Sequence, residues 1–219
     1  MVKELKKAFQ LVQYGVSLKQ QIIFCILFMV IGVVTEIFGR GSSLIGGFYL
    51  VISTMFLGQL ITSVDASTLV QASPYKRKIQ VLYPYIAMTP WMIVVMTIVV
   101  LIHWHFAKSG DAECYAAQST VLLQVGIILF FTMMYMAFCY KYFWAAMLGL
   151  ILVIYPVTIV TSIPKTSFAN FAGQSFSRSV VCCYVLILVG ITISFFINKA
   201  LYKKKFSPMA FGRALRNVK

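Results

Sequence analysis

Six apolar runs, at roughly 21–39, 44–64, 79–103, 119–140, 144–163 and 179–201, decide most of what this 219-residue chain can fold into. Each comes close to the about 20 residues that an α-helix needs to cross the hydrocarbon core of a bilayer. None carries a charge near its middle, where one would cost about 2.5–3.5 kcal/mol on insertion. Lipid offers no hydrogen-bond partner to a bare backbone, so such runs are read as helices. Composition agrees: 11% of the residues are charged, against about a quarter in soluble domains. The expectation is an all-α membrane protein with six transmembrane helices over 21–201. The first residues lack a short apolar core with a small-residue cleavage site, so no cleaved signal peptide is expected.

Charge sets the orientation. With six spans both termini share a side. Placing them in the cytoplasm puts fifteen of the nineteen Lys and Arg residues inside and leaves only Arg40, Lys108, Lys165 and Arg178 outside. This positive-inside bias explains the net charge of +14 through topology and anionic lipid, without nucleic acid as a partner. Residues 1–20 mix Lys3, Lys6, Lys7 and Lys19 with Phe9, Leu11, Val12, Tyr14 and Val16. They read as an amphipathic helix in the cytoplasmic interface, weakened by Gly15. Residues 202–219 read as a basic cytoplasmic tail with Phe206, Met209, Phe211 and Leu215 as apolar anchors. The stretch 162–179 sets Phe168, Phe171 and Phe176 among polar residues, as in a segment that dips back into the outer leaflet. Pro84, Pro90 and Pro156 are each expected to kink a helix.

The chain has no G-x-x-x-x-G-K-[ST] run to bind ATP and no H-E-x-x-H zinc pair. His103 and His105 flank Trp104 and read as interfacial belt residues rather than metal ligands. The five cysteines read as structural. Glu36 is the one acid inside a run and stands four residues before Arg40. An i,i+4 pair at the outer mouth is the expectation, with a gating or substrate role as the alternative. Gln59 and Gln124 should face other helices. Thr54, Gly58 and Thr62 are spaced by four, as are Ala145 and Gly149. Small residues at that spacing let helices approach closely, either within one subunit or across a dimer axis lining a transport path.

The polar stretch "DASTLVQASPYKRKIQVLYP", 65–84, separates the second and third runs. Ala66–Ala72 can form a short helix, with Asp65 as its N-cap or first-turn acid. Leu69 and Val70 would be apolar anchors, and Ser73-Pro74 would end the helix. Lys76-Arg77-Lys78 would mark the membrane edge.

This loop resembles that of bacterial ABC-2-type permeases, which reads leucine-rich, then Ser-Leu-Pro, a small or polar residue, a basic residue and an apolar start to span three. Here Ala72-Ser73-Pro74-Tyr75-Lys76-Arg77 and Ile79 occupy those places. The six-span layout, the interfacial N-terminal helix and the aromatic-rich hairpin between spans five and six are similar as well. The small 103–120 loop departs from the family by leaving no room for a large extracellular domain. The resemblance implies a permease subunit, not itself an enzyme, in a bacterial plasma membrane with both termini cytoplasmic. It would bind no cofactor; ATP and Mg would sit on a separate ATPase chain, and a second permease, identical or not, would complete the exporter. Asp65, Ala66, Leu69, Val70, Ser73 and Pro74 would form the coupling helix. Spans two and five, with Thr54, Gly58, Thr62, Ala145 and Gly149, would line the path. Compact exporters of this size accompany amphipathic peptides or toxins, including phenol-soluble modulins. A vitamin-importer component would need small-residue repeats in span one, whereas "QIIFCILFMVIGVVTEIF" is bulky. A membrane-embedded lipid transferase would need clustered acids, and the five acids are spread out. A membrane scaffold or immunity protein is the remaining alternative.

Overall fold

The computed structural model describes residues 2–15, 17–41, 43–110, 112–162, 171, 175–205 and 207. These are helical and turn segments. Helix α1 is Val2–Val12, α2 Leu18–Phe38 and α3 Ile45–Ser63; a 3-10 turn, Val64–Ala66, leads to α4, Thr68–Ala72. Then follow α5, Lys76–Val81, α6, Tyr83–Ser109, α7, Ala112–Cys139, α8, Phe143–Ser162, and α9, Phe176–Leu201. Five of these stretches are long and apolar enough to cross a membrane: α2, α3, α5 with α6, α7 and α9. The fifth apolar run of the sequence forms α8, whose apolar portion, Phe143–Pro156, is shorter. Most of the stretch 162–179 expected to dip into the leaflet and most of the basic tail lie outside the described residues; of the three phenylalanines named there, Phe176 is buried in the first turn of α9.

Helix α7 is the centre of the bundle and packs against α3, α6, α8 and α9. Its Leu122, Val125, Leu129 and Met133 are fully buried, together with Met92, Met96 and Val99 of α6. Helix α2 packs mainly on α3. It buries only Cys25, Gly32 and Glu36 and turns Ile23, Ile26, Val30 and Phe38 outward. A helix that is apolar all round yet buried on one narrow stripe is suited to lipid on its other faces. The cysteines are unbridged. Cys183 packs on Gly126, where an added Cβ would stand 2.7 Å from the Cys183 sulfur.

The N-terminal helix is shorter than the 1–20 expected. It ends at Val12, and Gly15 lies where a side chain would meet the Leu60 carbonyl at 2.9 Å. Ala8 is buried, and the Tyr83 hydroxyl donates to Glu4 Oε2 at 2.8 Å, which fixes α1 against the start of α6.

Pro84 interrupts the third run as expected, and sits in the first turn of α6. The break lies just before it, at Leu82 between α5 and α6. The Gln80 carbonyl, which Pro84 cannot reach as an i+4 donor, accepts from Asn198 Nδ2 at 2.8 Å instead. Pro90 and Pro156 do lie inside helices.

Candidate functional site

Two polar centres stand at opposite ends of α3. The first surrounds the loop from Val64 to Val81. Ser67, not Asp65, caps α4: its hydroxyl accepts from the Val70 N–H at 3.2 Å. Asp65 lies one turn earlier in the 3-10 segment and is buried. Its carbonyl accepts from Gln71 Nε2 at 2.6 Å and Gln80 Nε2 at 3.5 Å. Its carboxyl lines a cavity of about 20 Å³ with Thr62, Gln80, Tyr140, Lys141 and Asn198. Lys141, in the turn between α7 and α8, donates to the Lys204 carbonyl at 2.7 Å. The chain thus brings the α3–α6 loop, the α7–α8 turn and the end of α9 to one point.

Burial disfavours a charge on Asp65 and pushes its carboxyl well above the usual range, while the Lys141 ammonium opposes that shift. Burial also pushes Lys141 down to about 8. The folded chain therefore keeps a proton on Asp65 that the unfolded chain releases at lower pH. That contribution is complete below the unfolded carboxyl value and fades as pH rises toward the folded one. Lys141 acts in the opposite sense: from about 8 to the unfolded value of 10.5 the unfolded chain holds the extra proton, and stability rises. Asp65→Asn keeps the shape and removes the acid titration. Its melting temperature in detergent should fall less from acid to neutral pH than that of the wild-type protein. Parallel curves would show that Asp65 does not set the slope.

No protein-family model, curated protein or solved structure matches the chain.

The residues expected to meet a partner ATPase are placed unevenly. Val70 is buried against its own chain, so it cannot anchor a partner. The side chains of Ala66 and Leu69 lie outside the described ones. Pro74, Tyr75, Arg77 and Lys78 are exposed, and Ser73 is half-buried.

The Thr54–Gly58–Thr62 stripe faces inward. Thr54 and Thr62 are buried, and Gly58 packs on the Met136 side chain of α7, with the Met88 methyl 3.0 Å from the position of an added Cβ. Both hydroxyls bond within their own helix, Thr54 to Leu50 O at 3.2 Å and Thr62 to Gly58 O at 2.6 Å. The stripe is an intrasubunit contact, because α7 already fills the space a second subunit would need. Ala145 and Gly149 are exposed and border a different cleft, between α7 and α8. The structure therefore does not join these five residues into one path.

Between α3 and α8 lies an open apolar groove of about 360 Å³, lined by Ile52, Met55, Phe56, Ile151 and Tyr155 and floored by Thr132 of α7. Gln59 is one of its few polar groups. Gln124 is buried among helices, as its position in a run suggests.

The second polar centre holds Glu36. The expected Glu36–Arg40 pair needs helix through residue 40. Instead α2 ends at Phe38, and Arg40 takes a left-handed backbone with φ 51°. The Arg40 N–H bonds to Ile37 O at 3.2 Å and the Gly41 N–H to Glu36 O at 2.9 Å, a Schellman-type close. Arg40 is exposed and Glu36 buried. The imidazole of His103 stands beside Glu36 instead, with Nε2 3.7 Å from Oε2. His103 is fully buried and is no belt residue, whereas His105 is exposed. Gln118 on α7 completes the group. It bonds His103 Nδ1 through Oε1 and donates from Nε2 to the Arg40 carbonyl at 2.7 Å. Gln118 and the close-packed Gly41, Gly46 and Gly47 were not legible as site residues. The cluster of four glycines in "GRGSSLIGG" beside the lone acid of a run was the available signal.

Proposed function

We propose that the chain is the permease subunit of an ATP-driven exporter, with α8 as a sixth span and both termini in the cytoplasm of a bacterial cell. The observation that carries this reading is the groove between α3 and α8. It is apolar, open along one side and walled by the second and fifth runs of the sequence. A second permease subunit facing it would close a path suited to an apolar or amphipathic peptide. The loop centre supplies the mechanical link. Asp65 is coupled electrostatically to Lys141 at the foot of α8, and Gln80 is hydrogen-bonded to Asn198 near the end of α9. A push on residues 65–81 from a separate ATPase thus reaches a wall of the groove. With Val70 turned inward, the docking face is Pro74, Tyr75 and Arg77.

The test is a double substitution, Tyr75→Asp with Arg77→Glu, in the chain co-expressed with its ABC ATPase. Both residues are exposed, so insertion and yield should match wild type. Co-purification of the ATPase and ATP-driven transport should fall at least about tenfold, since a few central contacts dominate such interfaces. Retained binding and transport would remove this loop as the coupling element and the exporter reading with it.

A further inference from the structure

Glu36, His103 and Gln118 are each at least nine-tenths buried, and their hydrogen-bond directions leave one place undecided. The Arg40 carbonyl can only accept, so Gln118 must turn Nε2 toward it and Oε1 toward His103. An amide oxygen also only accepts, so His103 Nδ1 must carry a hydrogen. In a neutral ring that leaves Nε2 as a bare lone pair, aimed at Glu36 Oε2. Nε2 has no hydrogen-bond partner, and the Glu36 oxygens receive only a poorly aligned approach from the Gly47 backbone N–H. A carboxylate facing a lone pair is repulsive, whereas one proton between them removes the repulsion and lets a small closure of the 3.7 Å gap make a hydrogen bond. Transferring that proton to the ring would bury two ions, which is the costlier arrangement in this setting.

We propose that Glu36 and His103 form a buried one-proton site, occupied at neutral pH with the proton on the Glu36 carboxyl, that fastens α2 to α6 and α7. The surroundings are built for it. An added Cβ on Gly46 would meet Glu36 Cδ at 2.8 Å, one on Gly47 would meet Glu36 Oε1 at 3.3 Å, and one on Gly41 would meet His103 Nδ1 at 3.0 Å. No other ionisable group faces the pair among the described residues. Arg40, His105, Lys108 and Glu113 are exposed. The Cys114 thiol bonds the Phe106 carbonyl, and Tyr115 accepts from the Phe176 N–H on α9. From α3 only Gly46 and Gly47 reach the carboxyl. The site is independent of the exporter reading.

Infrared spectra of protein labelled with carboxyl-13C glutamate, in lipid bilayers at pH 7, should show the carbonyl band of a protonated carboxylic acid. The band should vanish in Glu36→Gln. Its absence from wild type, or its survival in the variant, overturns the proposal. If Glu36→Gln fails to fold, nitrogen NMR of the 15N-histidine-labelled His105→Gln protein gives a second reading. His103 should show Nδ1 protonated and Nε2 bare, with a hydrogen-bonded acceptor shift. Two protonated ring nitrogens at pH 7, or a bare Nδ1, would refute it.

Discussion

Gly46→Leu is expected to unseat α2 from α3 and to lower stability by about 3 kcal/mol, at the upper end of ordinary overpacking. The two helices come close at Gly32 and Gly46. A Cβ on Gly46 would stand 2.8 Å from the Glu36 backbone nitrogen, and one on Gly32 would stand 3.0 Å from the Gly46 carbonyl. Backbone cannot swing aside as a side chain can. At Gly58 the obstruction is the flexible end of Met136, so leucine there should do less damage. Gly149 has nothing within 4 Å of an added Cβ. Gly149→Leu should therefore change stability by no more than about 0.5 kcal/mol. Thermal unfolding of the three variants in one detergent ranks them, and a Gly46 variant as stable as the Gly149 variant would contradict the packing described.

Lys141→Met should destabilise by about 1.5–3 kcal/mol, chiefly through the bond it no longer gives to the Lys204 carbonyl and also through the counter-charge it no longer offers whenever Asp65 ionises. The figure sits below the cost of breaking a fully buried ion pair, because Asp65 can take up a proton instead. The double variant Asp65→Asn/Lys141→Met removes both titrating groups, so no carboxylate can ionise without its counter-charge, and it should recover part of the loss. Equilibrium unfolding of the four proteins gives the coupling as a double-mutant cycle. Strict additivity would mean that the two groups do not sense each other.

The helices were legible because uninterrupted apolar length leaves a chain in lipid little choice of backbone. The short helix after α3 was legible too, from Ser73-Pro74 at its end. Its cap was not. Asp65 and Ser67 are both good capping residues, and only the 3-10 turn that carries the chain around Val64–Ala66 decides between them. The inward turn of Thr54, Gly58 and Thr62 escaped because four-residue spacing states that something comes close without saying what. Glu36 and His103 lie 67 positions apart, on different helices, and periodicity carries no information about such meetings. Arg40 offered the nearer partner, and the glycines that end α2 early removed it.

The central place of α7 has a consequence for the order in which the protein can be assembled. During synthesis α2 and α3 leave the ribosome well before α7, and each makes more contact with the other than with any other helix. They can enter the bilayer as a hairpin. The polar face of α3 need not wait unsatisfied, because Ser53, Thr54 and Thr62 each bond a carbonyl of their own helix. Helix α7 brings no such ready-made nest: its buried surface is shared among α3, α6, α8 and α9, the last two still unmade when it enters. The α2–α3 hairpin can thus pack early, whereas α7 finds the rest of its buried surface only as α8 and α9 arrive.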